Sequence, residues 1–215
     1  MAQEKPRRGC LFHASLSIAL LIVVILLGLF LGFWAGVWSS TAAAPADLPS
    51  SRLSAEEFGR LQDRIAAFDR NVNQRRATEP LKLNADEVNA LIQHDTNWAF
   101  LKGQIYVALE TNRLKAQLSV PIERLGGSSR LHGRYLNGSG SFQVSLAGNV
   151  LLVRPESPEA IFIKGKPASR SVQRQIGDRN FALTFTNATV NSALAKLIAV
   201  EIKDGQLVIV PKSNP

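Results

Sequence analysis

The chain has 215 residues, a formal net charge of +8 and a pI near 10.1. Its hydrophobic share of 46% excludes an intrinsically disordered chain, and its single cysteine, Cys10, excludes an intrachain disulfide and a cysteine-based metal site. Its basic residues are scattered, apart from the pairs at 7–8 and 75–76, and no aromatic residues interleave with them. We therefore expect no nucleic-acid partner and favour attraction to anionic lipid head groups.

A long apolar segment follows a short basic tail at the N-terminus. Residues 11–38 contain no Asp, Glu, Lys or Arg, and this run exceeds the roughly 20 apolar residues that a helix needs to cross a bilayer. The tail, residues 1–10, is basic, whereas no basic residue follows the apolar run until Arg52. The positive-inside rule therefore predicts a cytoplasmic tail, a transmembrane helix over 11–38 and an extracytoplasmic remainder. We expect a single-pass membrane protein with its N-terminus inside.

A cleaved signal peptide is the alternative interpretation of the same segment. It would use the Ala-x-Ala sequence at residues 42–44, with cleavage after Ala44. The apolar core of a signal peptide is about 7–15 residues long, and the run here is much longer. The sequence favours the uncleaved anchor, and either alternative exports the rest of the chain.

Three glycines lie at intervals of four in the predicted transmembrane helix: Gly28, Gly32 and Gly36. Small residues at this spacing let two helices approach closely in lipid, so the pattern predicts a homodimer through the membrane. Glycine is also common in membrane helices, and the spacing therefore arises by chance as well.

An Ala/Pro/Ser-rich linker, residues 39–53, precedes the extracytoplasmic domain, residues 54–215. The domain opens with a capping box at Ser54 and Glu57, followed by apolar residues at intervals of three and four. This pattern predicts an amphipathic helix over 54–75. Its apolar face is long enough for a short coiled coil, but we favour packing against the domain's own sheet.

The remaining segments alternate between strand and helix patterns. Residues 84–94 form a second capped helix, and further helices are expected near 169–180 and 187–197. The predicted strands and hairpins occupy residues 81–83, 105–109, 114–120, 135–146, 150–153, 160–164 and 200–210, the last around an Asp204-Gly205 turn of type I′. The predicted fold class is α+β, with one curved antiparallel sheet of hairpins packed by two or more helices.

No common catalytic, metal-binding or cofactor-binding motif occurs in the sequence. His94 and Asp95, near Trp98, are the only catalytic residue types that lie together, and a polar helix C-terminus explains them better. We therefore predict no cofactor, no metal and no enzymatic activity.

Residues 133–140 (GRYLNGSG) combine three glycines with an aromatic residue and an asparagine. They would either line the mouth of a ligand site or form a strand with a bulge near Gly138 and Gly140, which we favour. The candidate contacts for a ligand or partner are aromatic and amide side chains in and before this segment: Trp98, Phe100, Tyr135 and Asn137.

Two phrases of the sequence stand out, residues 81–92 (LKLNADEVNALI) and 200–209 (VEIKDGQLVI). They resemble phrases of exported bacterial envelope domains, some of them similar to tubular lipid-binding (TULIP-like) proteins. With the predicted anchor, the resemblance implies the bacterial inner (cytoplasmic) membrane as the location of the chain. The resemblance implies a membrane-anchored envelope domain whose helix lies against a curved sheet, with an acyl chain as a candidate ligand.

Two functions follow as hypotheses. The first is a non-enzymatic interaction or scaffold domain of the envelope that self-associates, as the glycine series and the apolar helix face indicate. The second is a binding module for lipid or another apolar ligand. The space between the helix at 84–94 and the sheet separates them, because a ligand needs an open tunnel there.

Overall fold

The computed structural model describes residues 40–96, 101–125, 131–176, 180–184 and 188–212. Within these ranges the fold is α+β, with antiparallel sheets and short helices, as the sequence predicts. The helices are α1 (Ala55–Asn73), α2 (Ala85–His94), α3 (Arg170–Ile176) and α4 (Ala188–Leu194). The strands are β1 (Leu81–Leu83), β2 (Ile105–Glu110), β3 (Arg113–Pro121), β4 (Tyr135–Ala147), β5 (Val150–Pro155), β6 (Ile161–Ile163), β7 (Lys166–Pro167), β8 (Leu197–Lys203) and β9 (Gln206–Pro211).

Helices α1 and α2 both begin at the capping boxes that the sequence predicts. The Ser54 hydroxyl accepts a hydrogen bond from the Glu57 amide, and the Glu57 carboxylate accepts one from the Ser54 amide. Asn84 and Glu87 repeat this exchange at the start of α2, at 2.9 and 2.8 Å. Because each pair satisfies two amides that a helix leaves without partners, both starting points are local properties of the sequence.

The apolar face of α1 packs against the domain itself. Leu61 is only 1% exposed and lies in one cluster with Leu81 and Leu83 of β1. Phe58, Ile65 and other half-buried residues surround this cluster. The face that would support a coiled coil is therefore used inside the chain, as the preferred interpretation predicts.

Strand β4 is the centre of a six-stranded sheet. It pairs with β3 along one edge, from Leu114 opposite Phe142 to Pro121 opposite Tyr135. Along its other edge β4 pairs with β6 at residues 138–140 and with β5 at residues 142–147. Strand β2 then pairs with β3, and β7 with β6, at the two sides of the sheet. This strand of 13 residues thus pairs with three of the other five strands of the sheet.

The predicted bulge at Gly138 and Gly140 is wrong, because β4 pairs with β3 there without a shift in register. The glycines are explained instead by close approach of neighbouring groups. A Cβ at Gly140 would lie 2.7 Å from the Ile161 side chain, and one at Gly138 would lie 3.1 Å from the Phe162 carbonyl oxygen. A side chain would therefore push β6 away from β4.

The expectation of a single curved sheet is also wrong, because the described strands form two sheets. The second has the order β1-β9-β8, and its hairpin turns at Asp204 and Gly205, whose φ angles of 51° and 72° match the predicted type I′ turn. Within it, Leu81 pairs with Ile209, so the phrases at 81–92 and 200–209 meet in one sheet. The third strand of this sheet is β1, which pairs with β9 although the two are far apart in the chain. The hairpin patterns in the sequence do not predict the pairing of β1 with β9.

Two asparagine side chains close edges of the six-stranded sheet. The Asn89 amide, on α2, donates to the Val107 carbonyl at 2.7 Å and accepts from the Val107 amide at 2.9 Å. The Asn180 amide does the same for β5, donating to Leu151 at 2.8 Å and accepting from Val153 at 2.9 Å. Each side chain replaces a neighbouring strand, which leaves these edges unable to pair with another chain at these points.

The contacts within residues 42–215 make them one compact unit, and residues 1–41 are a separate one. Across the residues that the structure describes, no helix has both the length and the apolar composition to cross a membrane. The predicted span at 11–38 and its glycines, Gly28, Gly32 and Gly36, lie outside the described residues.

Candidate functional site

The strongest non-core feature of the domain is a site on β4 that binds the chain's own linker. We call residues 42–46 the docked segment. Ala42 forms an antiparallel bridge with Tyr135, donating to its carbonyl oxygen at 2.8 Å and accepting from its amide at 2.9 Å. Tyr135 and Asn137 are two residues apart, so their backbone groups point to the same edge of β4. On that edge the Asn137 carbonyl oxygen accepts a hydrogen bond from the amide of Lys164, the residue after β6. Ala42 therefore continues the edge of β4 that β6 occupies.

Two side chains hold the rest of the docked segment. The Ser119 hydroxyl, on β3, accepts from the Ala46 amide at 3.0 Å and donates to Asn137 Oδ1 at 2.9 Å. The Asn137 amide group donates to the Ala44 carbonyl oxygen at 3.1 Å. Ser119 is only 2% exposed, although it lies on the polar face of the sheet, because the segment covers it.

The second half of the linker is bound to α2. The Ser51 amide donates to Gln93 Oε1 at 3.1 Å, and the Ser51 hydroxyl donates to the Asp86 carbonyl oxygen at 3.1 Å. Leu53 then packs against the cluster around Leu61. The sequence predicts a short extended linker, and four of its described residues, at 42, 44, 46 and 51, are hydrogen-bonded to the domain.

The structure places the four sequence-derived contact candidates differently. Asn137 and Tyr135 meet at the docked segment, where the Asn137 amide is engaged by residues 44 and 46 and Tyr135 is half-buried. Trp98 and Phe100 lie outside the described residues. Sequence reasoning missed Ser119, which gives no signal beyond its place in an alternating strand, since its partners are far away in the chain.

His94, which the sequence singles out, and His132 have separate surroundings. The exposed His94 ring lies 5.3 Å from the Phe58 ring, while His132 Nδ1 lies 3.2 Å from Glu123 Oε1. The Gly133 amide donates a hydrogen bond to the Glu123 carboxylate, and this bond lowers the pKa of Glu123. A hydrogen bond from the Glu123 backbone and the charge of His132 lower that pKa further. Among the described residues no three His, Cys, Asp or Glu side chains are grouped so that they could hold a metal ion.

Two open clefts lie on the surface of the described domain. One, of about 420 Å³, lies between the linker and the start of α2, where Arg52, Asp86 and Tyr106 line it. The other, of about 430 Å³, lies between β4 and β8, beside Gln143, Ser145 and Glu201. The walls of both clefts expose more polar than apolar surface, whereas pockets that bind small ligands are mostly apolar.

The space between α2 and the six-stranded sheet is filled by side chains. Ile92, Val107 and Ala116 are each less than 8% exposed there, and Phe142 and Leu114 pack against them. The gap that an acyl chain would occupy is thus an ordinary apolar core.

Comparison of the chain with protein-family models, with curated proteins and with solved structures finds no match.

Proposed function

We propose that this chain is a single-pass protein of the bacterial inner membrane, whose extracytoplasmic α+β domain is a non-enzymatic interaction or scaffold domain of the envelope. The observation that carries the proposal is the run of residues 11–38 without a charged side chain, after a basic tail. In this orientation the tail is cytoplasmic and residues beyond about 45 are outside.

The bound linker supports a scaffold role. Ala42 is already hydrogen-bonded to the domain, and only residues 39–41 separate it from the end of the predicted span. A domain that served to reach distant ligands would gain from a long free linker, whereas a scaffold gains from a short bound one. The same bonds involve residues 42 and 44 of the alternative signal-peptidase site, so the uncleaved chain keeps contacts that the cleaved chain would lose.

The filled core under α2 supports the interaction role over the binding of a lipid or another apolar ligand. An acyl chain would have to displace Ile92 and Val107, which are already buried, and their burial stabilises the fold. Native mass spectrometry of the purified full chain tests this choice. We expect no stoichiometric lipid in the domain, and a bound acyl ligand that survives delipidation would favour the binding module.

Membrane insertion is tested by alkaline carbonate extraction and by labelling of single cysteines in intact and permeabilised cells. We expect the chain to resist extraction, Cys10 to be labelled only after permeabilisation, and a cysteine at Ser145, which is exposed on β4, to be labelled in intact cells. If the chain were extracted by carbonate and its mature N-terminus were Pro45, residues 1–44 would be a cleaved signal peptide and not an anchor.

Self-association through the predicted helix is tested by crosslinking the full chain in membranes. We expect Gly32→Ile to abolish the crosslinked dimer, because the larger side chain separates the helices. Phe30→Ile is the matched control, since a residue two positions away lies about 200° around the helix. A dimer that survives Gly32→Ile would show that the glycine series does not pair the chains.

A further inference from the structure

The docking site, formed by Ser119, Tyr135 and Asn137, recognises the backbone of the docked segment. Each described hydrogen bond between them uses an amide or a carbonyl oxygen of residue 42, 44 or 46. None of residues 42–46 belongs to the buried apolar core of the described domain. The segment can therefore leave its site without opening that core, and the identical segment of a second copy would make the same bonds.

Residues 47–50, which we call the hinge, connect the docked segment to Ser51. Among the described residues, none is hydrogen-bonded to the hinge, and Asp47, Pro49 and Ser50 are exposed. Pro49 and Ser50 also border the open cleft of about 420 Å³ at the start of α2, so they do not pack closely on that helix. The chain is thus bound on both sides of a short stretch that no described hydrogen bond holds in place.

An exposed aromatic side chain lies on the face of the sheet that carries the docking site. Phe162 is 36% exposed, one of the few large apolar side chains on the described surface to be so. It pairs with Ser139 of β4, and paired residues of antiparallel strands point to the same face. Asn137, two residues before Ser139, points to that face as well. Phe162 therefore lies beside the docking site and is only partly covered in a single copy.

The length of the hinge limits how two copies can exchange their docked segments. Ser51 is bound to Gln93 and Asp86 of its own α2, so its position in its own domain is fixed. From residue 46 to residue 51 an extended chain spans at most roughly 17 Å. In a symmetric exchange each docking site would therefore lie within that distance of the partner's Ser51, and the two sheet faces that carry the sites would oppose each other. Phe162 would then be covered by the other copy.

We propose that two copies of this chain exchange their docked segments, so that each segment binds the docking site of the other copy. The inference rests on the proposed self-association and names the surface of the domain that performs it. Two chains paired through their predicted helices raise the effective concentration of each segment at the other's site. The occupant is a second copy because the segment seated in the site belongs to the chain itself, and Phe162 gives the opposed faces apolar area to bury.

The test uses two differently tagged copies of the full chain in membranes, both with Cys10→Ser, and a short thiol-specific crosslinker. One copy carries Ala42→Cys and the other carries Tyr135→Cys. These residues form a hydrogen-bonded antiparallel pair, whose Cα atoms lie about 5.5 Å apart in such a ladder, so the crosslinker joins them when the segment is docked. We expect a crosslinked heterodimer, in about tenfold higher yield than when Ser145→Cys replaces Tyr135→Cys. Ser145 is the matched control because it is exposed on the same face of β4, far from the site.

A chain that carries both Ala42→Cys and Tyr135→Cys shows whether the segment docks at all. If this chain crosslinks only within itself, and no heterodimer forms above the Ser145→Cys level, the proposal is overturned. The absence of every product would overturn it too, because the segment would then not be docked. The pair Ala46→Cys and Ser119→Cys repeats the measurement if Tyr135→Cys prevents folding, since the Ala46 amide lies 3.0 Å from the Ser119 hydroxyl.

The opposed arrangement of the two faces is tested with Phe162→Asp in both copies. We expect the heterodimer yield to fall about tenfold, because a carboxylate would be buried between the faces, while the crosslink within the doubly substituted chain persists. Ile198→Asp, at a position 56% exposed on the other sheet, is the control and should leave the yield unchanged. A yield indifferent to Phe162→Asp would contradict this interface. The experiment with Gly32→Ile measures dimerisation separately, so a chain that dimerises without exchange overturns this inference alone.

Discussion

Helix α1 and the docked segment are both held on a sheet, but by opposite means. The helix is held by apolar burial centred on Leu61, whereas residues 42–46 are held by hydrogen bonds to Ser119, Asn137 and the backbone of Tyr135. Apolar burial adds up over a repeated pattern, and each hydrogen bond contributes only about 1 kcal/mol net. The helix is therefore expected to be part of the stability of the fold, and the docked segment to be the part that opens first.

The largest effect is expected from the helix side of this comparison. Leu61→Ala should lower the free energy of unfolding by about 3 kcal/mol, since it removes a side chain that is 1% exposed and leaves a cavity. Urea denaturation of the full chain in detergent, followed by circular dichroism, measures it. Ile198→Ala is the control, and its free energy of unfolding is expected to stay within about 0.5 kcal/mol of that of the parent chain. Equal effects at both positions would mean that α1 does not form the core.

The loss of a polar contact is expected to cost nearly as much stability as Leu61→Ala only where that contact is buried. Asn89→Ala leaves both the Val107 amide and its carbonyl without their partner in the core, and a loss of about 2–3 kcal/mol is expected. Asn180→Ala removes the same pair of bonds from β5, but there the groups are half-buried and water reaches them, so about 1 kcal/mol is expected. The same denaturation experiment compares them, and a reversed order would contradict burial as the deciding factor.

The docked segment should open locally when its side-chain partners are removed. Asn137→Ala is expected to cost about 1 kcal/mol or less in global unfolding, because its partners at residues 44 and 46 become exposed to water. Hydrogen exchange of the Ala46 amide is expected to speed up about fivefold or more, while amides of α1 stay unchanged. Ser145→Ala, at an exposed position further along β4, is the control. Unchanged exchange at Ala46 would show that the bonds do not hold the segment.

The smallest effect concerns the carboxylates of Glu57, which is exposed, and Glu123, which is half-buried. The backbone and side chain of Ser54 lower the pKa of Glu57, and the Gly133 amide lowers that of Glu123. A carboxyl whose pKa is lower in the folded state stabilises the fold above its unfolded pKa, and this stabilisation is lost as the pH falls through the folded value. The free energy of unfolding should therefore decline slightly below the ordinary value of 4.5. Glu57→Gln and Glu123→Gln together should flatten that decline, and an unchanged slope would exclude both residues as its source.

The sequence predicts an element well when its causes lie within a few residues. The starts of α1 and α2 and the Asp204-Gly205 turn are confirmed, since a capping box and a type I′ turn are bonds between near neighbours. The apolar interval in α1 also indicates its buried face, although it does not indicate which surface covers that face. The predicted end of the last helix is less accurate, because α4 ends at Leu194 and residue 197 already belongs to β8. Residues 177–179, near the end of the segment expected at 169–180, lie outside the described residues.

The candidate site follows the same division. The unusual glycine-rich neighbourhood of Tyr135 and Asn137 indicates a contact site, yet the partners of Asn137 in the docked segment lie about ninety residues away in the chain. Gly138 and Gly140 predict a bulge from the sequence alone, because glycine occurs in a strand both where the chain bends and where a neighbouring group approaches closely. Only the position of β6 distinguishes the two.

The sequence by itself determined the apolar run at 11–38, the capped helices, the hairpins and the α+β class, because charge, periodicity and turn chemistry are local properties. The tertiary structure alone decided that the strands divide into two sheets, that Asn89 and Asn180 replace missing strands, and that the linker binds to β3 and β4. Each of these depends on pairing between distant segments, and the pairing is selected by the packing of the whole domain rather than by any residue's immediate neighbours.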